Sequence, residues 1–242
     1  MLIRVPRETP LNVHLQVTTQ CNLACQYCFY RGNGELKEGI ASSLVEEWAS
    51  LSVKAIAIGG GEPMLVPWLG ELVSLAQGKG MFVAVTTNGS ILRDDIKPDK
   101  IAVSWDRIHE GTWETCIPMD AVSWYRDLGC SVCINHVLTD AEALSTVLAV
   151  TQDVIVLLEK PVSHFTHWDE GKKLIKRLAV DSCMAKVHFG QKCYQGEISM
   201  YIDAGLRCAV CSNVPRRIDY MGLKETWNSL RKDCLYGGEK DG

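Results

Sequence analysis

Gln20-Cys21-Asn22-Leu23-Ala24-Cys25-Gln26-Tyr27-Cys28-Phe29-Tyr30 packs three cysteines into eight positions, directly after an alternating run from Asn12 to Thr18 that reads as a β-strand. The spacing is Cys-x3-Cys-x2-Cys, on a loop that leaves the first strand. A zinc site usually closes with four ligands, often as two Cys-x2-4-Cys pairs, and no nearby histidine completes this one. Three thiolates suit a cubane iron–sulfur cluster with one iron left open. Buried structural thiols or half of a zinc site are the alternatives that the loop alone leaves standing.

Outward from the loop, short Val- and Ile-rich runs alternate with helical patterns, the signature of βα units around a parallel sheet. The strand candidates are Asn12 to Thr18, Lys54 to Ile58, Phe82 to Thr86, Ile101 to Trp105, Ser131 to Val137 and Val154 to Leu158. Ser43-Leu-Val-Glu46 reads as a capping box for a first helix with Leu44, Val45, Trp48 and Leu51 on one face. Pro67 fits the first turn of a second helix, stopped by Gly78 and Gly80. Helices carrying Val122 and Tyr125, then Leu144 and Val147, follow, and another is expected from Trp168 to Leu178. If the strands close partway into a barrel, the cysteine loop lies at its C-terminal mouth, where α/β barrels keep their chemistry.

The 242 residues accommodate one α/β domain with a small appendage, and 47% hydrophobic against 22% charged residues describes a globular chain. No apolar run reaches bilayer length, so no membrane partner is expected. The N-terminus lacks the apolar core and cleavage site of a secretory signal, which points to the cytoplasm. In that reducing compartment eleven cysteines are expected to hold metal or to be buried thiols rather than disulfides. A net charge of −4 argues against nucleic acid as a partner.

Gly59-Gly60-Gly61-Glu62-Pro63 follows the second strand, Thr86-Thr87-Asn88-Gly89 the third, and Val103-Ser104-Trp105-Asp106 the fourth. Singly these would be ordinary turns. With the three cysteines, in this order, the chain resembles the radical SAM superfamily, whose signature is Cys-x3-Cys-x2-Cys, commonly with an aromatic residue where Tyr27 stands. The resemblance implies a partial (β/α)6 TIM-like barrel. It implies that Cys21, Cys25 and Cys28 bind a [4Fe–4S] cluster whose fourth iron chelates S-adenosylmethionine, with Tyr27, Gly60, Gly61, Glu62, Asn88, Ser104 and Asn135 around that cofactor. It implies reductive cleavage to a 5′-deoxyadenosyl radical that abstracts hydrogen from a substrate, fed by an electron donor such as flavodoxin or ferredoxin.

From about Asp181 the pattern changes. Cys193-Tyr-Gln-Gly196 through Tyr201-Ile-Asp-Ala-Gly205 to Cys211-Ser212 resembles the cysteine-bracketed hairpin of SPASM and twitch auxiliary-cluster extensions, although Gly205 comes one place early and Val210 replaces a usual proline. The resemblance implies a small C-terminal cysteine-rich hairpin-plus-helix extension over 181–236 holding a second [4Fe–4S] cluster. Its ligands would be Cys193, Cys211, Cys183 and Cys208, with Cys234 the alternative to Cys208. A zinc knuckle is the competing use of these thiols. The last helix groups Leu223, Trp227 and Leu230, and residues 237–242 read as a disordered tail.

Cys133 shares a strand face with Asn135 by alternation. Cys133 and Lys160, the latter at the end of the sixth strand, are the candidates for contact with substrate, against the ordinary fates of a core thiol and a solvated rim. A peptide or protein side chain is the expected substrate, with a small molecule or nucleotide as the alternative. A non-catalytic electron carrier has no use for the Gly-Gly-Glu and Thr-Asn-Gly elements.

Overall fold

The computed structural model describes residues 7–25, 28, 32–106, 118–138, 141–157, 178–180, 193, 195–212, 214 and 216–230. Strand β1 (Asn12–Thr18) alternates as expected. Val13, Leu15 and Val17 are buried in the main core, and the opposite face carries His14, Gln16 and Thr18. Strands β2 (Ala55–Gly60), β3 (Phe82–Thr87), β4 (Lys100–Ser104), β5 (Ser131–Val137) and β6 (Val154–Leu157) follow within a residue or two of the expected bounds. The sheet adds β7 (Ala179–Val180), β8 (Ser199–Ile202), β9 (Arg207–Ala209) and β10 (Ile218–Asp219).

Among the described residues these strands form one sheet, ordered β10-β9-β8-β1-β2-β3-β4-β5-β6-β7. It is parallel from β8 through β7, and its two ends do not pair, as a partial barrel requires. The C-terminal hairpin does not stand apart from it. Strand β8 runs parallel to β1, pairing Asn12 with Ser199 and Leu15 with Ile202, and β9 and β10 extend that edge antiparallel.

Register decides what faces what. His14 pairs with Ala57, Ala57 with Ala84, Thr86 with Ala102, Ala102 with Cys133, and Ser104 with Asn135. The face carrying Thr86, Ser104 and Asn135 is therefore paved with small side chains on its central strands. The other face supplies Ile56, Ile58, Val83, Val85, Ile101, Val103, Ile134, Val154 and Val156 to the core. Helices α1 (Glu38–Ser50), α2 (Leu69–Gly78), α3 (Pro118–Asp127) and α4 (Ala141–Val150) connect successive strands, and α1, α2 and α3 bring Trp48, Leu72 and Tyr125 into that core. Each fully buried side chain of this kind contributes roughly 1.5–3 kcal/mol. The helix expected over 168–178 lies almost wholly outside the described residues.

The expected capping box is a correction. Helix α1 starts at Glu38, after Lys37, and Ser43 lies inside it, its hydroxyl donating to the Gly39 carbonyl at 2.8 Å. The chain is already aimed into the helix by Leu36 N–H donating to the Val17 carbonyl at 2.8 Å and by a bridge between Thr18 and Glu35. Buried Ala41 extends the apolar face below Leu44, so the helix gains a turn that no cap at Ser43 would allow. Pro67 likewise stands before α2 instead of in its first turn. It is Pro63 that opens a helical turn, a single 3-10 turn over Pro63–Leu65.

Helix α5 (Leu223–Ser229) buries Leu223 and Trp227 as expected. The segment before it is clamped to α1. The Tyr220 hydroxyl donates to Glu47 Oε2 at 2.6 Å and accepts from Trp48 Nε1 at 3.0 Å, while Leu223 N–H donates to Glu47 Oε1 at 2.7 Å. Burial and the neighbouring carboxylate push the Tyr220 phenol up, so it stays protonated and able to donate.

Candidate active site

The three glycines after β2 are not equivalent. A Cβ on Gly59 would meet nothing within 4 Å, whereas one on Gly60 would lie 2.2 Å from the Thr18 carbonyl oxygen and one on Gly61 2.0 Å from that of Gln20. Gly60 also has φ +141°, a conformation that side chains avoid. Through this close approach Gly61 N–H donates to Thr18 O and Glu62 N–H to Gln20 O, both at 2.8 Å. The turn after β2 is thus stitched to the residue preceding Cys21.

Glu62 is fully buried and carries the stitch on to β3. Its Oε1 accepts from Met64 N–H at 3.0 Å and from the Thr87 hydroxyl at 2.8 Å, and its Oε2 accepts from Asn88 N–H at 2.7 Å. Gly89 N–H donates to Thr87 Oγ1 at 3.0 Å and Gly89 adopts φ +78°, which turns the chain back over the strand end. Arg93 adds a brace, its guanidinium donating to the carbonyls of Val66 at 2.6 Å and Pro67 at 2.9 Å.

These strand ends surround a cavity of about 180 Å³ lined by the thiols Cys21, Cys25 and Cys28, by Gly60, Gly61, Thr86 and Asn88 at the ends of β2 and β3, by the polar Ser104, Asp106 and Asn135 and by the apolar Val137 and Leu157. Cys21 Sγ accepts from Leu23 N–H at 3.4 Å. Burial pushes the Cys21 thiol up, and Glu62, Cys25 and Cys28 add to the rise by charge repulsion against the pull of the Leu23 amide. A cubane cluster suits such a site. Cys21, Cys25 and Cys28 would hold it as thiolates, and its positive iron core would offset their crowded negative charge.

Ser104 and Asn135 stand where the sequence puts them, side by side on neighbouring strands. Trp105 N–H donates to the Asn135 carbonyl at 3.0 Å, and His136 Nδ1 donates to the Trp105 carbonyl at 2.7 Å, so the ends of β4 and β5 are fastened together. Cys133 lies on the same face, buried, and does not line the cavity; burial pushes its thiol up against the opposing charge of Lys100. Glu62 does not line the cavity either, because its carboxylate is spent on the three donors named above. Asp106, buried to 1% exposure, and Thr86 line the cavity as well, and the signal for both lies in the strand-end motifs that contain them. Tyr27 and Lys160 lie outside the described residues.

At the C-terminal hairpin, Asp203 organises the turn between β8 and β9. Its Oδ1 accepts from Gly205 N–H and Arg207 N–H, both at 2.9 Å, and its Oδ2 from Arg217 Nη1 at 2.7 Å. Arg217 also sits 4.8 Å from the centre of the Tyr201 ring. The early glycine has a structural consequence. Leu206 takes the left-handed conformation, φ +60°, where the motif would have glycine, at a cost of about 1–2 kcal/mol. Cys193 and Cys211 are half-buried, whereas Cys208 is fully buried in the main core, and burial beside Asp203 and Asp219 pushes its thiol up to about 12. Cys183 and Cys234 lie outside the described residues.

The sequence pattern of the radical SAM superfamily matches residues 15–154. The chain belongs to the radical SAM superfamily. An S-adenosylmethionine-dependent nucleotide dehydratase of Lacinutrix mariniflava is 33% identical over 104 residues, 39% of this chain and 22% of that protein. One from Flammeovirga pacifica is 32% identical over 116 residues, 42% of this chain and 40% of that protein. The matched stretch thus spans less than half the length of either relative. Among solved structures, Streptococcus suis SuiB bound to its precursor peptide SuiA superposes with a TM-score of 0.73 at 14% identity, over 96% of this chain and 67% of that one. Members of this superfamily are enzymes that use a [4Fe–4S] cluster and S-adenosylmethionine and need a reductant. No helix among the described residues is long and apolar enough to cross a membrane.

Proposed function

We propose that Cys21, Cys25 and Cys28 hold the cluster on which S-adenosylmethionine binds, and that the radical generated there abstracts hydrogen from a substrate on the inner face of the sheet. The observation that carries this is the convergence of three thiols, the Gly60-Gly61 cradle and the Asn88 turn on one cavity at the strand ends. When bound and reduced, the cluster supplies the electron that cleaves the sulfonium and leaves 5′-deoxyadenosine after hydrogen abstraction. The chain's own part is to seat and to shield. Gly60 and Gly61 let backbone approach the cofactor closely, Ser104, Asp106 and Asn135 offer polar contacts, and Val137 and Leu157 keep water from the reacting carbon.

The test is anaerobic reconstitution with iron and sulfide, reduction, and addition of S-adenosylmethionine, with 5′-deoxyadenosine as the readout. Its absence from protein holding an intact, reduced cluster overturns the reading. In a cytoplasmic setting the electron would come from a flavodoxin or ferredoxin.

For the substrate, a peptide or protein side chain is the first reading. The fold likeness to SuiB, whose structure holds a precursor peptide, extends over 96% of the chain. A nucleotide is the second, favoured by the 32–33% identity to the nucleotide dehydratases. Mass spectrometry of reactions supplied with nucleoside triphosphates or with candidate peptides separates the two.

Residues 181–236 would form the auxiliary-cluster unit, with Cys193, Cys211 and Cys183 as ligands. The burial of Cys208 in the apolar core favours Cys234 as the fourth. Iron counting on a chain lacking Cys21, Cys25 and Cys28 tests for this second cluster, and in that background Cys211→Ala should remove the remaining iron. Cys208→Ala should retain it and cost only about 1 kcal/mol of stability through lost core packing. Equal iron loss from the two variants would make Cys208 a ligand after all.

A further inference from the structure

We infer that Asn88 tunes the cluster through the Cys21 sulfur rather than binding S-adenosylmethionine with its side chain. The orientation of its amide is set by the backbone. Ser90 N–H, which can only donate, lies 2.9 Å from Asn88 Oδ1, and the Ser90 hydroxyl donates to the same oxygen at 2.6 Å. The other end of the amide is therefore the NH2 group. One of its hydrogens goes to Asn22 Oδ1 at 2.9 Å, and the second faces Cys21 Sγ at 3.8 Å, within reach for a sulfur acceptor. Asn22 closes the ring by donating its own Nδ2 to Ser90 Oγ at 2.8 Å.

Asn88 thus has both lone pairs and both amide hydrogens committed within the protein. Its backbone is fixed as well, by Asn88 N–H donating to Glu62 Oε2. What the arrangement delivers is an amide N–H held against one thiolate from outside the cysteine loop, beside the Leu23 N–H that the loop itself supplies to the same sulfur. Hydrogen bonds to cluster sulfur set reduction potential together with charge and exposure. Reduction adds negative charge to the cluster and its thiolates, so a donor here stabilises the reduced form and raises the potential. For a cluster that must accept an electron before it can act, this is a direct control on turnover.

The inference rests on the proposed role of Cys21, Cys25 and Cys28, and the experiment separates the two. The reconstituted wild type, Asn88→Asp and Asn88→Ala are titrated by EPR without S-adenosylmethionine, following the signal that later responds to the cofactor. Asn88→Asp keeps the acceptor for Ser90 and presents an oxygen to Cys21 in place of the N–H. Its midpoint should move to more negative potential by at least the 59 mV that corresponds to a tenfold change in a one-electron equilibrium. Asn88→Ala should move it the same way by less. Unmoved potentials in both variants, or loss of the cluster from both, overturn the inference and leave Asn88 a structural residue of the loop. A wild type with no cofactor-responsive signal instead sinks the cluster assignment itself.

Discussion

Gly61→Ala is expected to lose the cysteine-loop cluster, while Gly59→Ala, two residues away, keeps it. The Cβ at position 61 would fall 2.0 Å from the Gln20 carbonyl oxygen, 2.6 Å from its carbon and 2.9 Å from the Thr19 carbonyl carbon. All three are backbone atoms, so no side-chain rotation relieves the clash. The chain must part at the two 2.8 Å hydrogen bonds from Gly61 and Glu62 to Thr18 and Gln20. Overpacking of this kind costs about 1–3 kcal/mol or more, and the displaced segment leads straight into Cys21. Occupancy of the cysteine-loop cluster and yield of 5′-deoxyadenosine should both fall by about tenfold or more, since each ~1.4 kcal/mol of misplacement is a factor of ten. At Gly59 there is open space, and the change in stability should stay within about 0.5 kcal/mol. Iron and sulfide analysis of the two proteins decides the matter, and full loading of Gly61→Ala would mean that the cradle is dispensable.

Much of this was legible in the sequence because it is local. The alternation of Val13, Leu15 and Val17 and the buried runs at Ile56 and Val83 are signals confined to a few residues, and the strands stand where those signals lie. The order of the strand-end motifs also survives folding, since parallel βα units bring every strand's C-terminal end to one side. Ser43 misled because an S-x-x-E pattern is a cap only where the preceding chain leaves the helix, and what decides that is the pairing of Val17 with Leu36 outside the pattern. Cys208 looked like its neighbours in a cysteine-rich stretch, yet a three-residue strand turns it inward between Ile202 and Ile218. The Asn22–Asn88–Ser90 ring was out of reach, because Asn22 and Asn88 are 66 residues apart and nothing in either neighbourhood marks them as partners.

Glu62 belongs to the same class of long-range contact, and Glu62→Gln is expected to destabilise the chain even with no cluster bound. The carboxylate accepts three hydrogen bonds, from Met64 N–H, the Thr87 hydroxyl and Asn88 N–H, at a site with no solvent exposure. An amide of the same shape must turn its NH2 toward one of the two backbone N–H groups. Facing Asn88, it opposes a donor with a donor; flipped, it does the same to Met64, and there the Thr87 hydroxyl is also engaged by Gly89. A buried donor left without an acceptor costs about 1–3 kcal/mol, and the lost hydrogen bonds were charge-assisted, so roughly 2–4 kcal/mol in total is expected. For a chain of this length that lowers Tm by roughly 5–15 °C. Thermal melting of the metal-free protein measures it directly. A melt within a degree of wild type would show that the bridge between the strand ends contributes nothing, whereas the expected drop would make Glu62 the residue that holds Asn88 in place against Cys21.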